Sequence, residues 1–317
     1  MEFFKKQTNI DFMGVRKISW TFSAILITVC LLSIFIRGIN WGLDFTGGYA
    51  IQASFDTAPD ISNVKDALTQ AGLAHADVIT FGSTKDLMIT FSAKDIKQDI
   101  TNFDQSSNQA VQGTITSKFN QAVPQAHITQ INYTGPQVGA ELAQTGVLAM
   151  VVAILAIMIY IALRFEIKFA MSAAISLSHD PIVILGVFSI FQFRFDLTAL
   201  AAVLAVIGYS LNDIVVVYDR IRENFRVMRK APITEVVNRA INDTLSRTIM
   251  TASLTFLVVF VLFLLGGPSI HYFALALMIG VVIGTYSSIY NAGGLAVLFG
   301  LDRDVFVPKP KEVDALP

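Results

Sequence analysis

Six apolar runs divide this chain, at residues 18–36, 142–163, 169–193, 197–218, 248–265 and 272–299. About 20 residues at 1.5 Å each cross a hydrocarbon core of roughly 30 Å, so each run predicts a transmembrane helix. Between the first two runs the pattern changes. Residues 49–55 alternate with a period of two, as a half-buried strand does. Residues 60–71 repeat with helical spacing behind a cap at Asp60 or Ser62, and 78–81 and 87–91 are short strands around a turn at 82–86. A polar, partly helical stretch covers 95–119, and a last strand covers 128–133. This βαββαβ order predicts a ferredoxin-like α+β sandwich. The fold class is therefore a polytopic α-helical membrane protein of six transmembrane helices, with an external α+β domain between helices 1 and 2. In the connector 220–246, Ile233, Val237, Ala240, Ile241 and Leu245 share one helical face, which predicts a helix lying in the membrane interface with that face against the spans.

Composition agrees, since 54% of residues are hydrophobic and 15% are charged, against about 25% charged in soluble domains. Charge distribution supplies sidedness. With a cytoplasmic N-terminus, the inside segments 1–17, 164–168, 220–247 and 300–317 hold most of the 23 lysines and arginines, whereas the short outside loops 194–196 and 266–271 hold only Arg194. This is the positive-inside pattern, and it places both termini in the cytoplasm. The chain then divides into 1–37 (N-terminus and first helix), 38–141 (external domain), 142–299 (five-helix membrane domain with the cytoplasmic connector) and a tail, 300–317. Lys5, Lys6, Arg16 and Lys17 precede the first run in the manner of a signal peptide. That run exceeds a usual h-region, and Arg37-Gly-Ile-Asn-Trp41 offers no small-x-small cleavage site, so it reads as an uncleaved anchor.

Several chemistries are disfavoured. Cys30 is the only cysteine and lies in the first run, so neither a disulfide framework nor a thiol metal site is expected, and no cofactor or metal is implied. No glycine-rich loop ends in Gly-Lys-Ser/Thr, and no His-Glu-x-x-His occurs. Ser62-x-x-Lys65 lacks the partner motifs of a hydrolase, and Ser62 fits a helix cap better. The basic cluster at 220–230 is juxtamembrane, which favours anionic lipid head groups over nucleic acid.

The informative polar residues lie inside the apolar runs. Taking a carboxylate out of water costs several kcal/mol, so Asp213, roughly 8 Å below the cytoplasmic end of the fourth run, marks a group that takes up and releases a proton. Its best cation partner is Arg247, which enters the antiparallel fifth run at similar depth. The expectation is a cycle between a neutral Asp213 and one paired with Arg247, against the plainer reading of a fixed ion pair. His179-Asp180-Pro181 falls near the middle of the third run, as a second proton relay or as a hydrogen-bonded kink. Gly280 and Gly284 form a small-x-x-x-small pair suited to close helix packing. Tyr209 and Asn212 flank Asp213, and Asn212 is expected to hydrogen-bond a neighbouring helix.

Three motifs at these positions carry a family resemblance. They are Asp44-Phe45-Thr46-Gly47-Gly48 after the first run, the stretch 208–224 containing Asn212, Asp213, Asp219, Arg220, Arg222, Glu223 and Asn224, and Leu245-Ser-Arg-Thr248. In them the chain resembles the SecF family, the smaller subunits of bacterial SecD–SecF complexes, with Ile214 and Tyr218 as conservative variations. The resemblance implies half of an RND-like, twelve-span unit completed by SecD, acting as a transport component and not as an enzyme. It implies a proton-driven aid to late preprotein export across the inner membrane beside the SecYEG channel, with YajC or YidC as further partners. Asp213 and Arg247 match the family's proton-relay positions, with another acid supplied by SecD. Asp44–Gly48 would be the hinge from the first helix to the external domain, where adjacent glycines permit a tight turn. Two other readings compete: an RND-type exporter half for small molecules or lipids, and an intramembrane aspartyl protease, which needs paired carboxyls about 3 Å apart.

Overall fold

A computed structural model describes residues 8–73, 76–81, 83–92 and 108–302. Lys5, Lys6, most of the polar stretch before residue 108 and nearly all of the tail lie outside the described residues. Six helical segments are long and apolar enough to cross a membrane. They are α1 (Arg16–Arg37), α5 (Pro136–Arg164), α6 (Ile167–Phe191), α7 (Leu197–Val227), α8 (Ile233–Leu265) and α9 (Pro268–Tyr286). The last continues through a π-helical turn (Ser287–Ala292) into α10 (Gly293–Leu298).

Between α1 and α5 come a short helix α2 (Leu43–Thr46), β1 (Gly48–Phe55), α3 (Ile61–Gln70), β2 (Asp77–Phe81), β3 (Ser83–Ser92), α4 (Asn108–Ala122) and β4 (Ala126–Thr134). The sheet order is β2-β3-β1-β4 with every pair antiparallel, the order expected of a ferredoxin-like sandwich. Period-two alternation turns Ile51, Leu87 and Ile89 inward, where they meet Leu68 of α3 and Phe119 of α4, all completely buried. Asp60 caps α3 by accepting from the Ser62 amide at 2.9 Å. One detail departs from the sequence pattern: most of the predicted turn 82–86 is strand. Asp86 pairs with Ser54 of β1 and Ser83 with Phe81 of β2, which carries β3 back to Ser83, and the Ser83 hydroxyl donates to Asp86 at 2.7 Å. Hydrogen bonds from Ser83 and then Ser54 hold the Asp86 carboxyl below the usual carboxylate value.

The connector also differs from expectation. α7 runs on to Val227 and α8 begins at Ile233, so the predicted interfacial helix is the first part of one continuous 33-residue helix. Its apolar face is buried as expected. Val236, Val237, Ala240 and Ile241 pack with Ile221 and Phe225 from the extension of α7, which holds the two helices as a hairpin. The N-terminal segment lies along this hairpin. The amides of Ile10 and Phe12 donate to the side chains of Asn242 and Asn238 at 2.8 Å each, and Phe12 and Met13 are buried.

Two apolar clusters fill the helix bundle. One, at the end remote from the sheet, includes Leu177, Ile207 and Ile214; the other, at the sheet end, includes Ile184, Val203 and Val206. Between them lies a thin layer of buried polar side chains.

Candidate functional site

The polar layer is assembled from α6, α7 and the last span. Asp180 is completely buried. Its Oδ2 accepts from the Ser210 hydroxyl at 2.7 Å, and its Oδ1 lies 3.2 Å from His179 Nδ1. Gly284 makes this possible, because a Cβ there would collide with Ser210 Oγ and stand 3.4 Å from Asp180 Oδ2. The small-x-x-x-small pair thus serves close packing: Gly280 abuts Val206 and Gly284 admits the polar bridge. α6 passes through Pro181 without interruption, so His179, Asp180 and Pro181 stand in a continuous buried helix.

The π-helical turn adds to the layer. Such turns release backbone carbonyls from their usual partners. Ser176 donates to Ser287 O at 3.2 Å, and Ser172 and Tyr218 both donate to Ala292 O. Three hydroxyls from α6 and α7 therefore hold the distorted helix in place. Ser210→Ala should leave Asp180 short of a donor and lower stability by about 1–3 kcal/mol. Thermal unfolding of the purified protein checks this, and an unchanged transition would show that the bridge contributes nothing.

Asp213 sits one turn along α7 from Ser210. It is 2% exposed, and its Oδ2 has no hydrogen-bond partner among the described residues. Arg247, on α8, acts electrostatically on Asp213. It is itself exposed and forms no ion pair within 4.0 Å among the described residues. The structure brings the two expected partners together without closing a salt bridge. Among the described residues Asn212 makes no bond to a neighbouring helix: it lies about 100° around α7 from the inward Asp213, on the exposed face. That face carries Ala201, Ala205, Gly208 and Asn212 in helical register, and a Cβ on Gly208 would meet nothing within 4 Å.

The two buried aspartates do not form a protease dyad. Both oxygens of Asp180 are engaged, by Ser210 and His179, and among the described residues the charge that acts on Asp213 is that of Arg247, not of a second carboxyl.

At the sheet end, Asp44-Phe-Thr-Gly-Gly48 docks onto the bundle. Asp44 Oδ2 accepts from the Leu197 amide at 3.0 Å, and Asp196 accepts from Ala199 at 2.8 Å, so two carboxylates occupy the positive end of α7. Phe45 stacks on Phe195 at 6.0 Å, with the Trp41 ring edge-on to both. The Thr46 hydroxyl donates to Gly42 O, closing the short helix. Gly47 and Gly48 both have positive φ, 69° and 141°.

At the remote end, Arg220 bonds Asp243 at 2.9 Å and Glu223 at 2.6 Å, while Arg239 and Asn224 also reach Asp243. Asp219 pairs with Arg164 of α5 at 3.2 Å. Arg222 is half-buried and joins no ion pair among the described residues. Asp243, the hub that ties the hairpin together, escaped the sequence reading. An acid four residues after Arg239 inside a basic segment was the available signal.

Comparison with known proteins agrees with this arrangement. Residues 113–302 match the family model described as protein export membrane protein SecD/SecF, C-terminal, and residues 32–59 match the SecD/SecF GG motif. The protein translocase subunit SecF of Vibrio alginolyticus is 40% identical over 308 residues, covering 97% of this chain and 95% of the relative. That of Pseudomonas aeruginosa is 41% identical over 303 residues, covering 95% and 94%. The crystal structure of SecDF from Thermus thermophilus, a translocon-associated membrane protein, matches with a TM-score of 0.75 at 30% identity over 92% of this chain. The chain spans 38% of that longer polypeptide. With its glycine motif docked on the bundle and its aspartates in the layer between α6 and α7, this chain belongs to the SecD/SecF family of protein export membrane proteins, in its SecF branch.

Proposed function

We propose that this chain works with SecD as one half of a twelve-span unit of the bacterial inner membrane, which uses the proton-motive force to promote late stages of preprotein export. The observation that carries the reading is Asp213: a buried carboxylate beside Arg247 and next to the small-residue face of α7, with one of its oxygens unpartnered and Arg247 in no ion pair among the described residues. Ala201, Ala205 and Gly208 let a second helix approach closely, and a partner span there would stand beside Asp213 and could supply a further acid. Both termini are cytoplasmic and residues 38–141 periplasmic, in line with the distribution of basic residues. The external sheet holds and releases the emerging chain at the SecYEG exit, with YajC or YidC nearby. Asp44–Gly48 links that domain to the spans, and the basic segment at 220–230 faces anionic head groups.

The driving energy is modest. One proton moved through 100 mV yields about 2.3 kcal/mol, enough to bias a two-state helix arrangement, though not to release a tightly held substrate alone. Gly208→Leu should abolish co-purification with SecD while leaving the isolated chain folded, because its Cβ points into open space. Preprotein release in proton-energised vesicles holding both subunits tests the coupling. Dissipating the gradient should remove the stimulation that this chain provides. Stimulation that persists without a gradient would overturn the proton-driven reading.

A further inference from the structure

A cleft of about 440 Å³ opens on the outer side of the bundle between α1, α6 and the last span. Its walls are chiefly apolar, with Trp20, Ala24 and Ile27 on one side and Ala174, Ile182 and Leu295 facing them. Its lining runs along α6 from Ala174 to Ile182, about 12 Å at 1.5 Å per residue. Apolar walls over that length, carried on helices long and apolar enough to cross a membrane, suit a hydrocarbon chain. His179 lines its deep end, buried to 3% exposure with Nε2 unpartnered, so an occupant touches the polar layer through the residue that contacts Asp180.

The mouth supplies the second half of the argument. Arg16, Trp20, Ala24 and Ile27 follow one another at spacings of three and four and share one face of α1, so Arg16 stands one turn above the cleft at the bundle end remote from the sheet. The Arg16 side chain forms no ion pair or hydrogen bond among the described residues, and exposed Lys17 stands next to it. Asp11 and Glu235 share the neighbouring recess, but Asp11 accepts from the Gly14 amide and neither acid pairs with Arg16. Two cations that form no ion pair among the described residues, set above an apolar cleft, match an anionic phosphate joined to an acyl chain. We infer that this cleft is a binding site for an anionic phospholipid, with one acyl chain lying between α1 and α6 and its phosphate held by Arg16 and Lys17.

The chain has two tryptophans, so Trp41→Phe leaves Trp20 as the sole reporter inside the cleft. This protein, reconstituted into vesicles with phosphatidylglycerol or phosphatidylcholine brominated on the acyl chain, gives the readout. Phosphatidylglycerol should quench Trp20 at a mole fraction about fivefold lower for each basic residue engaged. Replacing both cations (Arg16→Gln with Lys17→Gln) should erase that preference, and filling the slot (Ala24→Leu with Ala174→Leu) should weaken quenching by either lipid. Equal quenching by both lipids in proportion to their mole fraction would reduce the cleft to ordinary lipid contact and overturn the proposal. So would quenching by neither lipid together with cross-linking of residue 24 to a single-span protein. Should the filled variant fail to fold, the charge variant at the exposed first turn of α1 still decides.

Discussion

Replacing Asp213 by asparagine is expected to reduce proton-driven preprotein release to the level seen without a gradient, while leaving the chain folded. Asparagine keeps the shape and cannot ionise. The structure makes the two explanations of this aspartate distinguishable. Were Asp213 half of a fixed buried ion pair, removing it would strand Arg247 and cost about 3–5 kcal/mol. Arg247 is instead exposed and, among the described residues, forms no ion pair, while one Asp213 oxygen has no partner there, so a neutral amide should be no harder to bury than the carboxylate. Thermal unfolding should therefore stay in place or move upward as transport is lost. The measurement pairs a release assay in energised vesicles containing SecD with an unfolding scan on the same preparations. A full gradient-dependent rate in Asp213→Asn would remove this residue from the relay, and a large drop in unfolding temperature would restore the static ion pair.

Much of this arrangement was legible in the sequence, and the parts that were not share a physical reason. Apolar runs announce spans because hydrocarbon tolerates little else. An aspartate within such a run announces itself because its burial is expensive. Ser210 gave no such signal, since a hydroxyl inside a span readily satisfies itself on its own helix. Only the glycine at 284 hinted that something polar needed room. Asp44 and Leu197 are 153 positions apart, and no local pattern could tell that one caps the other. The start of α8 differs for another reason. The apolar face of 233–245 is buried as its spacing predicts, but its polar opposite face suggests a helix lying flat. No glycine or proline interrupts 233–265, which is the condition for one continuous helix. That absence was available and outweighed the amphipathic pattern.

A single added methyl at Gly47 is expected to be among the most damaging substitutions in the chain. Gly47 has φ 69° and ψ 163°, a region open essentially to glycine alone, and any other residue there is strained by about 1–3 kcal/mol. Its Cβ would also stand 2.7 Å from Pro136 N and Cα, which are backbone atoms at the start of α5 that cannot swing aside. Overpacking of this kind adds about 1–3 kcal/mol. Gly38 supplies the control. It has a similar backbone, φ 71° and ψ −175°, but a Cβ there meets nothing within 4 Å. Gly38→Ala should therefore register the strain alone, and Gly47→Ala the strain plus the clash. Gly139, whose Cβ would fall 2.6 Å from Phe45 O, should register the clash from the opposite side of the same contact. If Gly47→Ala unfolded at the same temperature as Gly38→Ala, the motif would not be pressed against α5 as described. If it unfolded well below, the two glycines would be accounted for as a clasp. They would let Asp44 reach α7 while the chain turns into β1 hard against the second span.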